Sequence, residues 1–258
     1  MINFELIEAN KEALREQFLN AKPFPHLGIK DFCHQDKIEK LYASIPEIET
    51  KSADYIFAKN KFEKSKFREM GEDFEELYQD LISERFQKLL AYITNENIFI
   101  DQKFYGGGIH QGKTGSFLDM HADFNYHPLE PKWFRNLNLL LYLNKDWKKE
   151  YGGELKLEDK RTGEKTDVDV PFNQMTIMLC RGYTLHGYDP ISFPEGTFRT
   201  SIAAYAYTLQ EDRKEAARTT EWHIEKEKGG TLKYLISKIW VPAVKLKSKF
   251  SKSKTAEN

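Results

Sequence analysis

Three side chains in the sequence have the types and spacing to hold a metal: His121 and Asp123 in His121-Ala122-Asp123, and His186 in Tyr183-Thr184-Leu185-His186-Gly187. Alternate residues of a strand point to the same side. An imidazole and a carboxylate at 121 and 123 therefore project together and can take neighbouring positions on one ion. His186, following another expected strand, can supply a third ligand. Two histidines and one carboxylate form the facial triad of non-haem Fe(II), with positions left for a co-substrate and oxygen. The triplet alone does not establish such a site. Histidines are more often at surfaces or in satisfied core hydrogen bonds, and the chain also has His110, His127 and His223.

The surrounding strands add weight. In residues 134–143, Leu137, Leu139, Leu141 and Leu143 share one strand face, and Asn138, Leu140 and Tyr142 share the other. The all-Leu face is expected to pack against helices. The second face carries polar groups that need partners, which a pocket for a polar small molecule or a Tyr-rich core would both provide. Residues 197–208 read as a central strand with Arg199, Ser201, Ala203 and Tyr205 on one face. An Arg there is costly unless paired. Glu195 is the nearest acid in sequence. A bound carboxylate gripped by the guanidinium, with a hydroxyl alongside, is an alternative partner, and so is solvent at the strand entrance. Gly152-Gly153 reads as a hairpin turn without a catalytic role.

Helices are expected over 2–20, 35–45 and 71–93, the last with Phe74, Leu77, Leu81, Phe86, Leu89 and Leu90 as its buried stripe. Pro23 and Pro25 stop the first. Strands are expected over 98–105, 115–121, 136–143, 153–158, 167–170, 175–181 and 197–208. Helices followed by many short strands predict a mainly β sandwich or barrel buttressed by N-terminal helices. The expected layout is one domain over 1–210, helical to about 95 and β from about 96. A helical C-terminal extension over 211–244 and a Lys-rich disordered tail over 245–258 follow it.

The 258 residues carry 39 Lys+Arg and 40 Asp+Glu, a net charge of -1 that excludes nucleic-acid binding through bulk basic charge. With 14% aromatics, a substantial core is available. Two cysteines, Cys33 and Cys180, point to a reducing, cytoplasmic compartment rather than a disulfide framework. No apolar run approaches the 20 or so residues of a membrane helix.

Together these pieces resemble the 2-oxoglutarate- and Fe(II)-dependent dioxygenases, particularly their prolyl 4-hydroxylase-like branch. The family's pattern is His-x-Asp, a distant His, then Arg or Lys followed two residues later by Ser or Thr. His121, Asp123, His186, Arg199 and Ser201 match it in order. The stretch Arg135 to Trp147, Gly152-Gly153-Glu154-Leu155 and the lead-in Ala21 to Leu27 are also similar. The resemblance implies a double-stranded β-helix, or jelly roll, across residues 20–210. It implies Fe(II) on His121, Asp123 and His186, and 2-oxoglutarate on Arg199 with Ser201, Tyr142 and Asn138. It further implies O2 as co-substrate, ascorbate as an accessory reductant, and hydroxylation of an unactivated C–H bond as 2-oxoglutarate is decarboxylated to succinate. The substrate it implies is a prolyl residue of a protein or peptide, or a small molecule. Asp123 favours hydroxylation, because family members that halogenate have a small residue there. The segment Ser192 to Gly196 makes the gap from His186 to Arg199 longer than usual. Two other readings stay open: a cupin-like isomerase or lyase using another divalent metal, and a non-catalytic jelly-roll binding module.

Overall fold

Asn3 opens the first helix, α1 (Phe4–Asn20), by accepting a hydrogen bond from the Leu6 N–H. Its buried residues Phe4, Ile7, Leu14 and Phe18 lie along one face. Helix α2 is Gln35–Ala43. The long helix expected over 71–93 is instead two, α3 (Glu72–Ile82) and α4 (Glu84–Thr94). Ser83 has extended backbone, and its side chain accepts from Phe86 N–H, so it caps α4 where a continuous helix would need a helical residue. The computed structural model describes residues 1–49, 51–224, 231 and 233–237.

The strands are β1 (His26–Lys30), β2 (Lys51–Tyr55), β3 (Ala58–Lys64), β4 (Phe99–Ile100), β5 (Gly108–Ala122), β6 (Trp133–Tyr142), β7 (Leu155–Asp159), β8 (Lys165–Val168), β9 (Gln174–Leu179), β10 (Thr184–Tyr188), β11 (Arg199–Leu209) and β12 (Glu221–Trp222). Their main order is β1-β9-β6-β11-β5-β10-β7-β8, and the pairings are antiparallel. β5 changes partners along its length. Its first part, Gly108–Gly112, pairs with β11, its end, Leu118–Ala122, pairs with β10 and β12, and β3 runs beside it from Ile109 to Leu118. The result is a nearly closed, jelly-roll-like barrel of mainly β structure with helices packed on it.

Leu137, Leu139 and Leu141 of β6 are fully buried, as is the following Leu143, and all belong to the core shared with α1, α3 and α4. The expected all-Leu face is therefore the helix-packed one. Several expected elements differ. The strand of 98–105 is only β4, and that of 115–121 starts earlier, at Gly108. Strands β1, β2, β3 and β10 were not expected. Within the helical extension expected over 211–244, Glu221–Trp222 pairs with Ala122 and His121 of β5, and residues 231 and 233–237 are helical. The Lys-rich tail of 245–258 lies outside the described residues. Among the described residues, no helix is long and apolar enough to cross a membrane.

Candidate active site

The paired ends of β5 and β10 bring the first three residues together: His186 stands opposite His121 in the ladder. Asp123 follows β5 directly. One ligand atom from each of His121, Asp123 and His186 lies within 4.8 Å of the others. His121 Nε2 is 3.6 Å from Asp123 Oδ1, and His186 Nε2 is 3.4 Å from Asp123 Oδ2. Metal–nitrogen bonds of about 2.0–2.1 Å place neighbouring donors about 3 Å apart, so this spacing suits a single ion. Two imidazoles and one carboxylate are also the donor set expected for non-haem Fe(II). No Glu or third His joins the group among the described residues, unlike the richer first strand of a cupin-like site.

His121 Nδ1 lies 2.9 Å from the Asp119 carbonyl oxygen. Donation to that oxygen leaves Nε2 as the lone-pair nitrogen facing Asp123. Burial, with His121 beside it, pushes the His186 imidazole down to about 3, so it is neutral and ready to ligate at pH 7. Gly187 allows β10 to approach this closely. A Cβ at that position would lie 2.4 Å from the Leu118 carbonyl oxygen.

Asp123 is held from behind by Arg135, which is 2% exposed and within 2.9 Å of Oδ2. Arg135 also donates from Nε and from a terminal nitrogen to Asn138 Oδ1, at 2.9 and 2.7 Å. Asn138 Nδ2 in turn donates to Asp123 Oδ2 at 2.9 Å. Burial raises the Asp123 carboxyl, but Arg135 and the two imidazoles outweigh it and hold the group well below the usual carboxylate range. Asn138, expected as a further 2-oxoglutarate contact, is committed on both amide atoms to this clamp.

Arg199, Ser201 and Tyr142 lie further along the same cavity, whose volume is about 390 Å³. Arg199 is 7% exposed, and among the described residues no carboxylate lies within ion-pair distance of it. Glu195 is therefore not its partner. Its Nε donates to the Gly153 carbonyl at 2.8 Å, and its guanidinium lies over the rings of Tyr188 and Tyr142. Gly153 has φ 85°, and a Cβ there would sit 3.0 Å from Arg199 Cδ. The turn read only as a hairpin thus also seats this side chain. Ser201 stands directly opposite Tyr142 across β11 and β6.

Residues 107–207 match the family described as the 2OG-Fe(II) oxygenase superfamily. The chain carries a 2OG-Fe(II) oxygenase domain. Its fold is similar to that of a Pseudomonas putida prolyl-4-hydroxylase, at TM-score 0.55 and 15% identity over 78% of this chain and 100% of that one. A Trichoplax adhaerens prolyl hydroxylase, solved with a hypoxia inducible factor peptide fragment, matches at TM-score 0.54 and 15% identity, covering 80% and 94%. HygX from Streptomyces hygroscopicus, solved with nickel and 2-oxoglutarate, matches at TM-score 0.50 and 13% identity, covering 78% and 93%. At such identities the likeness shows a shared fold. No curated protein matches the sequence.

Sequence reasoning missed two parts of the oxygenase site. The sequence assigns Arg135 no role, and only the fold shows Asp123 beside it. The segment 219–222 also lines the cavity. There Trp222 stacks on Phe57, with ring centroids 4.9 Å apart and planes at 14°, and packs against His121 at 4.9 Å. Phe124 packs on the Arg135 guanidinium, 4.6 Å from its ring centroid. Tyr126 and Trp133 pack with Phe134, His127, Phe99 and Tyr207 outside the cavity.

Proposed function

We propose that this oxygenase hydroxylates an unactivated C–H bond, binding Fe(II) through His121, Asp123 and His186 and 2-oxoglutarate through Arg199, Ser201 and Tyr142. One observation carries the reading: a cavity with a three-ligand cluster at one end and, at the other, a buried Arg with no carboxylate partner among the described residues. When bound, Fe(II) with 2-oxoglutarate and O2 supplies the oxidising power, the keto acid leaving as succinate and CO2. The chain supplies position and charge. Arg199 grips the distal carboxylate as a fork, and the Ser201 and Tyr142 hydroxyls are placed to add bonds. Arg135 and Asn138 keep Asp123 ionised and oriented. Leu140, Leu155 and Trp222 supply apolar wall that limits water at the reacting end.

The catalytic unit is residues 1–210, with the helical part to about 95 buttressing the β core and residues 219–222 completing the cavity wall. A prolyl residue, as in the substrates of prolyl hydroxylases, is one acceptor of the hydroxyl, and a small molecule is the other. A reducing, cytoplasmic setting suits the two free, buried cysteines, and ascorbate is the reductant such a site calls for.

Anaerobic Fe(II) plus 2-oxoglutarate is expected to give a weak visible charge-transfer band, and O2 then gives succinate. A folded, metal-loaded protein without the band would reject the reading. His121→Ala or Asp123→Ala is expected to abolish succinate formation with the fold kept. Arg199→Ala is expected to raise the 2-oxoglutarate requirement steeply, and an unchanged requirement would move the anchor elsewhere.

A further inference from the structure

Residues 216–223 run beside the stretch of chain that carries two of the three ligands. Glu221 and Trp222 of β12 stand opposite Ala122 and His121 of β5, and the His223 N–H donates to the Met120 carbonyl at 2.8 Å. At the other end, Asn125 holds the same segment with both amide atoms. Its Nδ2 donates to the Ala216 carbonyl at 3.0 Å, and its Oδ1 accepts from the Arg218 N–H at 2.8 Å. Asn125 is 1% exposed, so its amide needs these partners. The stretch from Met120 to Asn125 is thus bonded to residues 216–223 at each end, with His121 and Asp123 between. β5 itself ends at Ala122. Asp123 therefore stands beyond the regular ladder, where strand pairing alone does not fix a side chain.

The same segment reaches the ligand side chains. The Trp222 ring packs on the His121 imidazole, centroids 4.9 Å apart, and its own back lies flat on Phe57. The Phe57 carbonyl accepts from the Asp119 N–H at 2.9 Å, and the Asp119 carbonyl is the group 2.9 Å from His121 Nδ1. An imidazole bonded at one edge can still swing about that bond, and the indole blocks the swing. Lys233 pairs with the Asp119 carboxylate at 2.6 Å, adding a hold just ahead of the ligands. The third ligand is braced from here as well. Arg218 lies against the turn that leads into β10: a Cβ on Gly182 would be 3.0 Å from its Nη1. One segment therefore supports both strands that supply histidine ligands, from the side opposite the Arg135 and Asn138 clamp.

We propose that residues 216–223 are a positioning strap for the metal site, in which Trp222 sets the ring of His121 and Asn125 sets the chain beyond Asp123. Metal affinity then depends on residues that follow the 107–207 oxygenase span. Neither Trp222 nor Asn125 offers an atom to the three-ligand cluster, so both act through the ligands they hold. The proposal rests on the reading of His121, Asp123 and His186 as the metal ligands. Groups that orient ligands in this way change metal affinity by about 10–100-fold when removed.

The test uses the full chain, stripped of metal and titrated with zinc by calorimetry, with cobalt(II) as a coloured probe of ligand geometry. Trp222→Ala and Asn125→Ala are each expected to weaken zinc about tenfold or more and to change the visible cobalt bands. Trp222→Phe keeps a flat ring on His121 and should stay within about threefold of the parent. Leu141→Ala, a core change on the helix-packed face of β6, should also stay within about threefold and keep the parent bands. That control separates ligand positioning from a general loss of stability. Circular dichroism checks the fold of each variant, and Trp222→Leu replaces Trp222→Ala if the latter does not fold. Parent-like zinc affinity in either the Trp222 or the Asn125 truncation would overturn the strap. So would a Trp222→Phe as weak as Trp222→Ala, or an equal loss in Leu141→Ala. Absence of zinc binding by the parent, or parent binding that survives His121→Ala unchanged, would overturn the metal reading and the strap with it.

Discussion

Replacing Arg135 by Met tests how Asp123 is held. The change keeps an unbranched side chain of similar reach and removes the charge. It deletes the 2.9 Å contact to Asp123, both hydrogen bonds to Asn138, and the stacking of the guanidinium on Tyr205 at 3.5 Å from the ring centroid. Asp123, only 14% exposed at its side chain, is left without its main counter-charge. Breaking one side of a buried pair costs about 3–5 kcal/mol. For a chain of this size that lowers the melting temperature by roughly 10 °C. A divalent cation on the same carboxylate restores positive charge, so zinc should recover much of the loss. The pH dependence has a definite sign. In the parent, the Asp123 carboxyl is held below its ordinary value. Its contribution is complete above the unfolded pKa of about 3.9 and is lost as pH falls through the lower folded value. In the variant, burial is no longer opposed by Arg135, so the carboxyl rises and its protonation relieves the penalty. The gap between parent and variant should therefore be wide at pH 7 and narrow as pH falls toward 4. Urea unfolding at both pH values, with and without zinc at pH 7, measures all of this. A metal-free loss below about 1 kcal/mol at pH 7, well short of a broken buried pair, would refute the reasoning. An equal loss with and without zinc would refute it too.

Two further outcomes follow from the geometry. Gly153→Ala puts a Cβ 3.0 Å from Arg199 Cδ at a residue with φ 85°. A displaced anchor should raise the KM for 2-oxoglutarate about tenfold, with kcat at saturation changing less; an unchanged saturation curve would show that Gly153 does not seat Arg199. Leu141→Ala, at a fully buried position on the helix-packed face of β6, should cost about 2–5 kcal/mol in chemical unfolding, and a loss well under that range would place this face outside the core.

The chemistry was more legible than its supports. His121, Asp123 and His186 carry their meaning in residue type and spacing, and the alternation of β6 separates its core face from its cavity face without any structure. Arg199 could be read because a lone cation in an otherwise apolar strand is costly. Arg135 could not, because its partner is another strand's carboxylate and no local pattern announces that meeting. β10 was hidden by its own composition: five residues with His186 and Gly187 at the centre have little strand propensity, and close pairing to β5 decides the outcome. The β2–β3 hairpin was hidden by its lysines, and its pairing with β5 is visible only in the fold. Ser83 is a weak helix residue but a strong cap, and the fold uses it as a cap.

The cavity is assembled from unequal contributions. The strands within residues 107–207 bring the three-ligand cluster and Arg199, while Lys61 precedes them and Thr219, Thr220 and Trp222 follow them. Divergence among such proteins can therefore run at two speeds. Substitutions in the flanking segments can reshape the cavity wall while the three ligand residues stay unchanged, because neither flank supplies an atom to the cluster.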